Sequence, residues 1–208
     1  METAAKTREY YAYDEVRSWS VNGKFSISPD DTSFWVSISP DAQLHPSVLL
    51  GSGASIGYGA RIGSGAKVGS GAVVESGATV KADAVIKAGA RIGSGAVIGP
   101  WSVIGSWTRV EAGAALEAVA VVGSDAVIGP WAIIGSGVIV GAGAKVGANA
   151  VFECGAVVED GAAVGANAVV GSGARVEAGA VVEADAVIEA GARVEADAVI
   201  GAEAVVEA

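Results

Sequence analysis

One cysteine, one histidine and one methionine stand among 208 residues, and aromatic side chains make up only 6% of them. The single cysteine, Cys154, excludes a disulfide within the chain, and the single imidazole, His45, excludes a multi-histidine metal site built by one chain. Cations are scarce as well. Thirteen Lys and Arg against 23 Asp and Glu give a formal net charge of −10, which argues against nucleic acid and anionic membranes as partners. No run of eighteen apolar residues is free of Gly or charge, so no segment is expected to span a membrane. The opening "METAAKTREYY" lacks the apolar core of a signal peptide, and a soluble, cytoplasmic protein is expected. The many "GSGA" stretches are never followed by a helix or a Gly-Lys-Ser/Thr signature, so they are not phosphate loops, and no cofactor is implied. Threonine in the repeat region is confined to Thr79 and Thr108, too few for the flat Thr-x-Thr ladder of an ice-binding face.

What the chain has in abundance is small and aliphatic. From residue 38 onward an aliphatic side chain recurs every sixth position, as in Ile38, Leu44, Leu50, Ile56 and Ile62, and Phe152 alone departs from Ile, Leu or Val. Two residues before each stands a small side chain, usually Ala, and one residue earlier stands Gly, Asn or Asp. Residues two apart share one face of a strand, so the Ala and the aliphatic residue point inward together. Gly, Asn and Asp enter the left-handed backbone region most readily, which a tight corner between strands requires. Four residues of strand and a two-residue corner make one side, and three sides close a coil of eighteen residues. A helix is excluded, because Gly recurs every few residues and a period of six holds no stripe at 3.6 residues per turn.

This unit resembles the hexapeptide repeat of left-handed parallel β-helix proteins. The fold expected from the resemblance is all-β: a triangular parallel solenoid of about nine to ten coils spanning residues 36–208. Residues 1–35 are expected to form an N-terminal aromatic cap. They hold Tyr10, Tyr11, Tyr13, Trp19, Phe25, Phe34 and Trp35, with a β-hairpin around Asn22-Gly23 in "SWSVNGKFSI" and a short helix in "AAKTREYYAYDEV".

Sorting outward residues eighteen apart gives three faces. One stacks Val97, Ala115, Ile133, Val151, Val169, Val187 and Val205. A second stacks Val85, Val103, Val121, Ile139 and Val157, then Arg175 and Arg193. The third alternates Val73, Arg91, Arg109, Val127, Lys145, Ala163, Val181 and Val199. Rows of exposed β-branched residues suit strand backbone, and they also suit self-association, so Val97, Ile133, Val151, Val169, Val187, Val103, Val121 and Ile139 form a candidate interface for a homo-oligomer, a trimer foremost. Arg175 with Glu177, and Arg193 with Glu195, are expected to pair on the outer surface. Trp101, Trp107 and Trp131 fall on three different corners, where one ligand cannot reach all three rings.

Enzymes that this repeat resembles are often acyltransferases that use acyl-CoA or acyl carrier protein. They work as trimers, with a histidine general base and a loop that interrupts the repeat. Here the register runs unbroken and the only imidazole is His45, in "LHPSV", facing outward and commonly part of the scaffold. Cys154 reads as a tolerated corner residue, with no neighbouring histidine to activate it. The near-consensus units suggest an idealised or consensus-engineered sequence, although a GC-rich bacterial gene drifts the same way. The sequence thus leads to a non-enzymatic structural scaffold with no catalytic, cofactor or metal residues. The alternative is an acyltransferase using His45 as base. A second alternative is a ligand-binding or assembly module, because "GSWTRVEAGAALEAVAVVGSDAVIG" is weakly similar to the β-helix of mannose-1-phosphate guanylyltransferases.

Overall fold

The computed structural model describes residues 35–208 and the backbone of three earlier strands, β1 (Tyr10–Ala12), β2 (Trp19–Val21) and β3 (Lys24–Ser26). The first rung of the solenoid is β4 (Val36–Ile38), followed by β5 (Gln43–Leu44) and β6 (Leu49–Gly51). From there two-residue strands recur every sixth position to Val205–Val206, which makes about nine full coils. Among the described residues there is no helix, and so none long and apolar enough to cross a membrane.

Strands eighteen residues apart pair in parallel, as Val73 with Arg91 and Arg91 with Arg109, so the rungs stack into three sheets. The sixth-residue pattern dictates this arrangement. Each strand turns one aliphatic side chain inward and the preceding one outward, and the small residue two positions before lies fully buried beside it, as Ala54, Ala60 and Ala66 do. Burying one Val or Ile contributes about 1.5–3 kcal/mol, and the ladder repeats that gain at every rung. Among the described residues Phe152 is the largest fully buried side chain. Where the small inward residue is a hydroxyl it finds a carbonyl: Ser102 donates to Glu117 O at 2.8 Å and Thr108 to Gly123 O at 2.7 Å.

The corners carry the left-handed residues. Gly takes φ near +70° at most of them, and Asp83, Asn149, Asn167 and Asp185 adopt the same conformation. So do Trp101, Trp107, Trp131 and Val119, with φ between 55° and 61°, although bulky residues rarely enter that region. The position imposes the backbone, whatever residue stands there. Trp107 and Trp131 lie flat over Gly89 and Gly113 of the coil below, where a Cβ would come within 2.5 Å of the indole.

At the N-terminal end, β1 pairs antiparallel with β6, and β2 pairs antiparallel with β3, which pairs antiparallel with β4. Two of the three sheets are thereby extended, whereas the sheet that begins with β5 has no added strand among the described residues. The expectation of a helix in "AAKTREYYAYDEV" is corrected at Tyr10–Ala12, whose backbone is a strand held by the edge of β6. The rest of that segment, the Asn22-Gly23 turn and the aromatic side chains ahead of Trp35 lie outside the described residues.

Candidate functional site

The one imidazole sits just after β5, on the sheet whose N-terminal edge bears no added strand. His45 N–H donates to Ile62 O at 3.0 Å, which fixes the residue in the coil and sends its side chain outward. A groove of about 530 Å³ opens along this surface, lined by Gln43, His45, Arg61, Ser64, Thr79 and Lys81. Two cations in one groove stand out in so acidic a chain, and they favour an anionic ligand.

The ring is held by its own turn. Ser47 N–H donates to His45 Nδ1 at 3.2 Å, and Ser47 Oγ lies 2.8 Å from the same nitrogen. A backbone N–H can only donate, so Nδ1 is the acceptor and the neutral ring carries its proton on Nε2. The Ser47 hydroxyl therefore points its hydrogen at Nδ1. Its oxygen in turn accepts Gly65 N–H at 2.9 Å and lies 3.3 Å from Ser64 Oγ. A hydroxyl with its proton aimed at an imidazole can pass that proton to the ring. Sequence reasoning singled out His45 but missed Ser47, Arg61 and Lys81. The signal was available: Arg61 stands one coil up and two residues back from His45, an offset at which outward side chains meet.

The same offset governs the ion pairs, and here an expectation is corrected. Arg175 pairs with Glu159 and Arg193 with Glu177, each one coil below, rather than with the glutamates two residues further on. Arg91 likewise bonds Glu75, sixteen residues earlier, at 3.1 Å. Each of these glutamates also accepts a backbone N–H nineteen residues on: Ser94 at 3.2 Å, Ala178 at 3.2 Å and Ala196 at 3.1 Å. The Glu75 carboxyl is held below its ordinary range by the hydrogen bond from Arg91 first and those from Ser94 next.

The eight apolar candidates lie on the outer rungs as their spacing requires. Val121, Ile133 and Ile139 are exposed, whereas Val97, Val103, Val151, Val169 and Val187 are half-buried by their stacked neighbours. Trp101, Trp107 and Trp131 are 60–70% exposed and occupy three different edges. Cys154 is an exposed corner residue, and among the described residues no three His, Cys, Asp or Glu side chains form a metal cluster.

Two family models match the repeat. The bacterial transferase hexapeptide (six repeats) matches residues 72–106 and 119–154. The hexapeptide repeat of succinyl-transferase matches residues 47–82, 137–172 and 155–192. The chain belongs to the hexapeptide-repeat family. Together the matched segments span more than half of it.

Solved structures carry the same fold. The UDP-N-acetylglucosamine acyltransferase of Francisella novicida superposes with a TM-score of 0.70 at 19% identity, covering 74% of this chain and 65% of that one. LpxA, a UDP-N-acetylglucosamine acyltransferase from Bacteroides fragilis, gives 0.51 at 20% identity, covering 76% and 67%. This hexapeptide-repeat chain thus spans about two thirds of those proteins' length. Comparison with curated protein sequences returned no match.

These findings correct the expectation of a non-enzymatic scaffold, because the repeat is that of a transferase family. They lend no support to the idealised-design reading either. Its regularity has a physical origin in the family's fold: every coil needs a left-handed corner, a small inward residue and an aliphatic one at fixed positions.

Proposed function

We propose that the protein is a hexapeptide-type acyltransferase that moves an acyl group from a coenzyme A or acyl carrier protein thioester to an acceptor hydroxyl or amine. The observation that carries this reading is the placement of the one imidazole in a groove with Arg61 and Lys81, within a transferase repeat. The two cations suit the phosphates of a thioester donor. In the reaction the acceptor's oxygen or nitrogen attacks the thioester carbonyl and its proton is taken up; the C–S bond then breaks and the proton is returned to the departing thiolate, which leaves as the thiol. His45 is the group that takes the proton. Because Nδ1 already faces the Ser47 hydroxyl, the route to the ring runs through Ser47 Oγ.

The working unit is a homo-oligomer, a trimer foremost, joined through the outward rows that contain Val121, Ile133 and Ile139. Exposed β-branched rows along a rod support this assembly, since contiguous apolar surface of this kind marks interaction sites.

Thiol release from a panel of acyl-CoA and acyl carrier protein thioesters tests the reaction. Wild type should turn over at least one donor, and His45→Ala should lose about 10²- to 10⁴-fold in kcat. Equal turnover by wild type and His45→Ala would remove His45 from the chemistry. No release from any donor would sink the transferase reading.

A further inference from the structure

The five arginines on the rungs are Arg61, Arg91, Arg109, Arg175 and Arg193. Three of them bind a glutamate sixteen residues earlier, and His45 holds that place for Arg61. For Arg109 the place falls to Gly93. Its nearest carboxylate is Glu111, whose Oε1 stands 3.8 Å from Nε, beyond hydrogen-bond reach, and the side chain is 62% exposed. The second partner of the missing carboxylate is also present. Ala112 N–H, the counterpart of the Ser94, Ala178 and Ala196 donors, meets no acceptor among the described residues.

A cavity of about 330 Å³ lies at this point, lined by Glu75, Arg91, Gly93, Arg109, Glu111 and Ala112. Gly93 is not a place that a side chain of the protein readily fills. A Cβ there would stand 2.6 Å from Ala112 N and 2.7 Å from the Glu111 carbonyl carbon. Arg109 is moreover the register partner of Arg91, and like charges directly opposite each other cost stability. Glu75 offsets the charge of Arg91, which leaves the Arg109 guanidinium, held by Glu111 only in a loose ion pair without a hydrogen bond, and the unbonded Ala112 N–H facing one cavity.

We propose that this cavity binds the carboxylate of a small-molecule ligand, one oxygen on the Arg109 guanidinium and the other on Ala112 N–H. The ligand takes the place that Glu75, Glu159 and Glu177 fill at the equivalent arginines. Those three glutamates define the recognition chemistry: a planar two-oxygen anion that bridges a guanidinium and a backbone amide. The site lies on a different sheet from His45 and does not depend on the transferase reading.

Propionate, which is a glutamate side chain detached from its backbone, is the direct probe. Titration followed by amide NMR should move the Ala112 resonance saturably, and inorganic phosphate in a parallel titration should bind more weakly. Arg109→Gln should weaken propionate binding about tenfold or more, since a charge-assisted hydrogen bond is lost. Glu111→Gln should tighten it, because the competing carboxylate beside Arg109 is neutralised. Both substitutions are on the solvent side of the rung, and circular dichroism checks that the solenoid is intact. An Ala112 amide that does not respond, a response equal in Arg109→Gln, or tighter binding of phosphate than of propionate would each overturn the proposal.

Discussion

Arg193 is held by Glu177, one coil below it, and not by Glu195 two residues further along the chain. The strand geometry explains the choice. Residues two apart on one strand are separated along the chain direction, whereas the sixteen-residue offset brings side chains together across neighbouring coils. Glu177 is the better buried partner, with 15% of its side chain exposed, and it also accepts Ala196 N–H at 3.1 Å.

Glu177→Gln should therefore destabilise the C-terminal coils by about 1 kcal/mol, through loss of a charge-assisted pair. Glu195→Gln should cost close to nothing. Thermal melts of the two variants measure the difference, and equal shifts would contradict the offset.

Acid should weaken the coils around Glu75. Its carboxyl is held below the ordinary value of 4.5, so its contribution to stability is in place above that value and is lost as pH falls through the lowered pKa. Arg91→Gln removes the largest cause and should bring the Glu75 pKa back up toward 4.5. Carboxyl NMR titration reads the change, and an unmoved pKa would exclude Arg91 as its main source.

Val119 stands at a corner with φ of 61°, a conformation that costs a β-branched residue about 1–2 kcal/mol. Val119→Asn installs a residue that Asn149 and Asn167 show to be at home in that backbone. The substitution should stabilise the protein by about 1 kcal/mol, seen as a rise in Tm. A fall in Tm would mean that the exposed valine makes a contact worth more than its strain.

Light scattering addresses the outward rows. Wild type should show a mass of about three chains, and Ile139→Lys should reduce it while leaving the β-sheet circular dichroism unchanged. Ile139 is 46% exposed and outward, so the added charge meets solvent in a single chain and an apolar surface in an assembly. A wild-type mass of one chain would rule the interface out.

Much of the fold is legible in the sequence because one residue type is demanded at one position in every coil. The residue at each sixth position, aliphatic except for Phe152, is inward throughout from Ile56 to Val194, and the residue three before it is the corner. Trp101, Trp107 and Trp131 were placed at corners by spacing alone, although nothing in their chemistry favours a left-handed backbone. The candidate sites were less legible. Contacts between outward side chains depend on how far one coil is shifted along the next. Reading two-residue neighbours on one strand paired Arg193 with Glu195 and overlooked Glu177. The same shift hides Arg61 and Lys81 from His45 in a linear reading. The function is less legible for another reason: unbroken repetition suits a design as readily as it suits the demands of the corners and the core, and it is the family models, not the repetition, that point to a transferase.

The stacking of residue upon residue eighteen positions later sets a rule for how this gene can grow. Duplicating one whole coil would lengthen the rod and leave every side of it as before. Inserting a single hexapeptide would keep the core intact, since each inward position meets another of its kind. It would, however, turn everything downstream through a third of a revolution, carrying the Arg175 and Arg193 column from one side of the prism to the next. Any partner that reads one side along its length therefore holds the chain to multiples of eighteen, even though stability alone would accept multiples of six.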